Sequence, residues 1–194
     1  MALPEMAPAP GIATARSTAT ATPTSTATPT STATATATAS DDPASLPQTH
    51  DEPTAAGPAF DGRVRALWDG IVADDPERAM AFFFPLGAYR QVKDVPDPAS
   101  DWKRRLVAAY THDIHALHAR LGDDAATAKL VGLDVPQTRA RWVDPGEEYN
   151  KIGYWRVFGS RLRYDVGGTS GSFEVKSLIS WRGEWYVVHL SAIR

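Results

Sequence analysis

The stretch Ser172–Leu190, SFEVKSLISWRGEWYVVHL, decides the fold. Phe173, Val175, Ile179 and Trp181 alternate with Glu174, Lys176 and Ser180, and a period of two marks a strand with one buried face. Gly183 permits a reversal, and Trp185–Leu190 returns as aromatic and β-branched residues. A two-residue turn, Arg182-Gly183 or Gly183-Glu184, sets Phe173, Val175, Ile179 and Trp181 beside Tyr186, Val188 and Leu190. His189 then falls on the opposite face with Glu174, Lys176, Leu178, Trp185 and Val187. A three-residue turn with a bulge moves His189 to the face of Trp181, Ile179 and Phe173. The two-residue pairing separates apolar groups from charge more cleanly. It therefore predicts an apolar face against helices and His189 on the outer face, as a structural or partner-contact residue and not a catalytic base.

The segments upstream supply the rest of a sheet. Thr127–Val135 reads as a strand, and Arg139–Val143 as another or its continuation. After the Asp144-Pro145-Gly146 turn, Tyr149–Val166 reads as a long strand, with Gly159 at a bulge or bend. Gly167–Gly171, GGTSG, has no lysine and no helix after it, so it reads as a hairpin loop and not a phosphate loop.

Helices precede the strands. Phe60, Val64, Leu67, Trp68 and Ile71 share one helical face, with Asp61 as the expected cap. Asp75-Pro76 opens a short helix that stops at Pro85. Ala88–Val92 reads as a short strand. Asp97–Asp101 then opens a long helix ended by Gly122, with Trp102, Leu106, Tyr110, Ile114, Leu117 and Leu121 in one stripe. His112, His115 and His118 on this helix fall on the arc away from that stripe, with no Asp or Glu beside them. They read as a solvated face, and no metal site is expected.

The formal net charge of -3 is local, because residues 1–59 carry Arg16 against five carboxylates. The remainder is close to neutral with both signs interspersed, which excludes the basic footprint of a nucleic-acid binder. Cysteine is absent, so disulfides, thiolate metal sites and cysteine nucleophiles are excluded. No run of apolar residues is long enough to span a membrane. No phosphate loop, dinucleotide fingerprint, nucleophile elbow or metalloprotease motif occurs, and no cofactor is expected. Abundant Ala, Arg in excess over Lys and a single Asn, Asn150, suggest GC-rich bacterial coding.

Residues 1–59 are expected to form a disordered Thr/Ala/Pro-rich tail, ahead of one domain over residues 60–194. Ser17–Ser40 has the Ser/Thr/Pro composition of an O-glycosylated stalk, which points to an extracytoplasmic or cell-surface location. Met1–Pro10 lacks the basic and apolar regions of a signal peptide, so a cytoplasmic location is the alternative. Ser17–Ser40 has no large apolar side chains, and removal of residues 1–57 is expected to leave stability nearly unchanged.

Two helices, a strand, a long helix and a run of antiparallel strands make an α+β domain, with N-terminal helices on a strongly curved, mostly antiparallel sheet. ALWDGIVADDPERAMAFFFP (Ala66–Pro85) resembles the opening of nuclear transport factor 2-like domains, also called SnoaL-like or cystatin-like cone domains. WRGEWYVVHLS (Trp181–Ser191) resembles their last strands. FFFP, EYNKIGYW and SLISWRGEWYVVHL look more like uncharacterised exported bacterial proteins of that fold. The resemblance covers residues 60–194 and implies a pocket between sheet and helices. Trp68, Tyr89, Tyr154, Arg156 and Phe158 are the candidate lining residues, because Tyr154, Arg156 and Phe158 share a strand face. No spacing reproduces the catalytic set of an enzyme of this fold, so no catalytic residue is assigned. The expected function is a stalk-borne interaction or small-ligand-binding module without enzymatic activity. The alternative is a small-molecule isomerase, dehydratase or hydrolase with its pocket in the cone. The expected partners are a small apolar ligand or a protein, with a homodimer through the outer sheet face.

Overall fold

Proline and aspartate start most of the helices. In the computed structural model, which describes residues 43–191, helix α1 (Pro58–Ala73) has proline in its first turn and closes on Asp74 in the left-handed conformation. It begins ahead of Asp61, which sits inside the first turn and is not the cap. Asp75 caps α2 (Pro76–Ala79), its carboxylate accepting from the backbone N–H groups of Glu77 and Arg78. A 3₁₀ turn, Met80–Phe82, leads to Pro85.

Residues Leu86–Val92 form helix α3 and not the expected strand. The short run AYRQV carries no decisive period, and Pro85 stands at the N-cap of the helix that follows. Asp97 caps α4 (Pro98–Asp101), accepting from Ser100 N–H at 3.0 Å. The helix continues through a π-helical stretch, Trp102–Val107, into α5 (Ala108–Leu121), which Gly122 ends.

The sheet contains β1 (Lys129–Asp134), β2 (Arg141–Val143), β3 (Tyr154–Val166), β4 (Thr169–Trp181) and β5 (Glu184–His189). Its order is β1-β3-β4-β5, with β2 also on β3, and every pairing is antiparallel. Both hairpin turns have two residues. Gly167-Gly168 joins β3 to β4, so Thr169–Gly171 belongs to the strand and not to the loop. Arg182-Gly183 joins β4 to β5, with both residues at positive φ, as the twist of a tight hairpin demands. The β3–β4 register runs unbroken past Gly159, whose φ of 74° makes it a bend and not a bulge. Residues 149–153 precede β3 instead of belonging to it.

Helices pack on one face of the sheet. Trp68 stacks on Tyr164, Arg120 lies over Phe173, and Phe84 meets Trp181 and Tyr186 edge-on. This is the face of Phe173, Val175, Ile179 and Trp181, as the alternation predicts. The domain is α+β, with N-terminal helices on a mostly antiparallel sheet.

The other face is covered in part by the chain's own N-terminal segment. Among the described residues the fold already includes Pro43 and so begins before Phe60, where helical periodicity places it. Of the expected tail, residues 1–42 lie outside the described residues. Residues 43–53 instead form a strap. It starts on the helical face, where Trp181 Nε1 donates to Pro43 O at 2.8 Å, and passes the β4–β5 turn, where Gln48 bridges the Arg182 N–H and the Ser180 carbonyl. The His50 ring lies 3.9 Å from that of Trp142, and Trp155 Nε1 donates to His50 O. Gln137 links Pro53 O to the Trp185 indole. Polar side chains and carbonyls make this attachment, so a reading based on apolar content does not find it. The outer face around Trp142, Trp155 and Trp185, expected to carry a homodimer contact, is occupied there by residues 48–53 and Gln137.

Candidate functional site

One irregularity in β5 builds the site. Pairing runs regularly from Trp181↔Glu184 to Leu178↔Val187, and then Ser177 pairs with His189. Val188 is the extra residue of a bulge, so the side chain of His189 crosses to the face of Ser177 and Ile179. The two-residue turn is as expected, but the expected outer position of His189 is wrong. Beyond the bulge the parity of the strand reverses. Ser177 Oγ and His189 Nδ1 lie 2.9 Å apart, and Ser177 also pairs with Phe158 of β3.

A cavity of about 300 Å³ opens on this face. Tyr89, Tyr154, Arg156 and Phe158 line it, so four of the five expected residues come together. Trp68 does not join them. It packs on Tyr164 at the far end of β3, 5% exposed, as part of the core. Lys93, Glu148 and His189 complete the polar lining, and Leu106, Ile179 and Val188 supply apolar wall. Arg105 and Leu106 reach it from the π-helical stretch, an irregularity that recurs at functional sites.

Two charge networks border the cavity. In the first, Tyr89 OH donates to Asp101, and Arg105 donates to Tyr89 OH at 3.0 Å and to Asp101 Oδ2 at 2.8 Å. The hydrogen bond from Arg105 holds the Asp101 carboxyl down at about 2. Burial, then the bond to Asp101, pushes the Tyr89 hydroxyl well above its ordinary range. In the second, Glu148 accepts from Tyr154 OH at 2.7 Å and pairs with Arg156, while Arg141 stands 3.6 Å away. Arg156 also lies 4.4 Å over the Phe158 ring. Burial pushes the Tyr154 hydroxyl up to about 12. Both tyrosines are therefore donors at neutral pH and not bases.

Lys93 differs from its neighbours. Its Nζ donates to the Glu148 carbonyl oxygen at 2.8 Å, and among the described residues no carboxylate pairs with it. Burial, with Arg105 adding repulsion, lowers its pKa. His189 is held down at about 4 by burial and by Arg105, so its ring is neutral at physiological pH. With Nδ1 on Ser177, its Nε2 has no partner among the described residues. Lys93 and Glu148 were not legible in the sequence, because their partners are backbone or distant side chains. His189 was visible as a polar residue in an apolar strand, but the bulge that places it has no sequence mark.

The histidines of α5 lie elsewhere. His115 Nδ1 stands 2.6 Å from Asp74 Oδ1, and His118 Nδ1 stands 3.0 Å from Ile71 O. Two of the three thus tie α5 to the C-terminal end of α1, and only His112 and His115 are exposed. Among the described residues no group of three His, Asp or Glu is arranged to hold a metal ion. No described helix is long and apolar enough to cross a membrane.

No family model, curated protein or solved structure matches the chain.

Proposed function

We propose that the chain is a small-ligand-binding module whose cavity takes a small organic acid with an apolar or aromatic body. The observation that carries this reading is the charge of the lining. Lys93, Arg105 and Arg156 stand against two carboxylates: Glu148 is engaged by Arg156, Arg141 and Tyr154, and Asp101 by Arg105 and Tyr89, which leaves Lys93 as the cation without a carboxylate partner among the described residues. A ligand carboxylate would complete the charge balance of a partly desolvated cationic wall. Leu106, Ile179, Val188 and Phe158 would receive the apolar body. The volume suits a molecule of about a dozen heavy atoms. The helices-on-sheet arrangement supports a nuclear transport factor 2-like reading of the fold, and the Ser/Thr/Pro segment supports a stalk that holds the module outside the cytoplasm.

A second reading rests on His189. A neutral imidazole whose Nε2 has no partner among the described residues, on the same cavity as two protonated tyrosines, is equipped for proton transfer in an isomerase or dehydratase. The two readings separate on the variant His189→Gln, which would keep ligand affinity in either case and lose turnover only in the second.

Calorimetry with 3-phenylpropanoate and 3-phenylpropanol tests the first reading. The acid is expected to bind at least about tenfold more tightly than the alcohol, and Arg156→Gln to remove that preference. Equal affinity for the two, or no heat from either with folded protein, would reject an acid-binding cavity.

A further inference from the structure

Lys93 is fixed through both its backbone and its side chain. Its backbone is clamped on both sides. Lys93 N donates to Tyr89 O at the end of α3, and the flanking bonds Asp94 N to Tyr149 O and Lys151 N to Val92 O join it to the loop before β3. Asn150, 2% exposed, organises that loop, donating to Asp144 O and Ile152 O and accepting from Glu148 N. The loop thereby presents the Glu148 carbonyl to Lys93 Nζ at 2.8 Å. One N–H of the side chain is fixed in direction, and the side chain borders a cavity of mixed polar and apolar lining, with no carboxylate in a salt bridge to it among the described residues. Burial and the Arg105 charge lower its pKa against the pull of Asp101, which raises the share of free amine over that of an exposed lysine.

We infer that Lys93 captures a carbonyl compound in this cavity as an imine, and that the acid it takes is a 2-oxo acid. The inference rests on the acid-binding reading for the carboxylate and on Lys93 alone for the bond. Nζ adds to the carbonyl carbon to give a carbinolamine, its proton passing to the oxygen. The carbon–oxygen bond then breaks, and the oxygen leaves as water with the second amine hydrogen. A C=N bond remains, and no oxidant or reductant takes part. Arg156 and Arg105 stand on the same cavity to receive the carboxylate.

The experiment treats the full chain with phenylpyruvate and sodium cyanoborohydride, followed by intact-mass measurement and peptide mapping. One adduct of the acid's mass less one oxygen is expected, on Lys93, formed at least about tenfold faster than on any other lysine. Lys103, Lys129 and Lys151 are exposed, and Lys176 is ion-paired with Glu174, so the molecule holds its own controls. Lys93→Arg should abolish the adduct. If that variant does not fold, the peptide map of the unaltered chain still decides. Labelling spread evenly over the lysines overturns the inference, as does the absence of adduct. If phenylpyruvate still binds by calorimetry in that case, the acid-binding reading stands while the imine falls. If Lys93 is labelled but excess 3-phenylpropanoate does not slow the reaction, the imine stands and the acid-binding reading falls.

Discussion

His189 shows how one residue's environment becomes a measurable property of the whole chain. Its folded-state pKa is about 4 against an ordinary value of 6.5, so as pH falls the unfolded chain takes up this proton first. Stability from this site is fully present above about 6.5 and declines as pH falls toward about 4. With partial solvent access, the loss is roughly 1–2 kcal/mol. Asp101 titrates in a different window, because a carboxyl lowered from 3.8 to about 2 gives stability that is lost only below that upper value. Urea unfolding between pH 7 and 4 should therefore show a decline that flattens in His189→Gln. Identical pH slopes in the two proteins would mean that the imidazole is not desolvated. The same residue marks a limit of sequence reading. Alternation gave the correct turn and the correct apolar face, yet one inserted residue, Val188, reversed the parity of the last position.

At the level of elements, what was legible followed local chemistry. Asp75 and Asp97 are helix caps by side-chain geometry, and the Arg182-Gly183 turn follows from glycine between two alternating runs. Tyr154, Arg156 and Phe158 share a cavity because they are two apart on one strand. The strap was not legible, since its anchors are indole N–H groups and carbonyls far away in sequence. Its hydrogen bonds argue against the expected neutrality of a deletion through residue 57. Removing residues 1–42 should leave the unfolding free energy unchanged, whereas removing residues 1–57 should cost about 3–5 kcal/mol, as several hydrogen bonds and the cover over Trp155 are lost. Chemical denaturation of both truncations checks this, and equal stability would mean that the strap is not bound. A second element depends on close approach. A Cβ on Gly153 would lie 2.2 Å from the Trp142 ring, so Gly153→Ala should destabilise by about 1–3 kcal/mol. An unchanged denaturation midpoint would contradict that packing.

For the molecule as a whole, the two sheet faces are built differently. The outer face near Trp142, Trp155 and Trp185 is closed by the strap and Gln137, which stabilises the fold. The helical face is packed at the Phe173 end and leaves a cavity at the Ser177 end, where the π-helical stretch, the Val188 bulge and the loop around Asn150 converge. On the proposed reading, this cavity and not the outer face receives the ligand. Titration of isotope-labelled protein with 3-phenylpropanoate, followed by nuclear magnetic resonance, tests it most directly. Saturable shifts are expected at Leu106, Phe158, Ile179 and Val188, with the indoles of Trp142, Trp155 and Trp185 unmoved. Saturable shifts at those indoles, with the cavity residues unmoved, would contradict it.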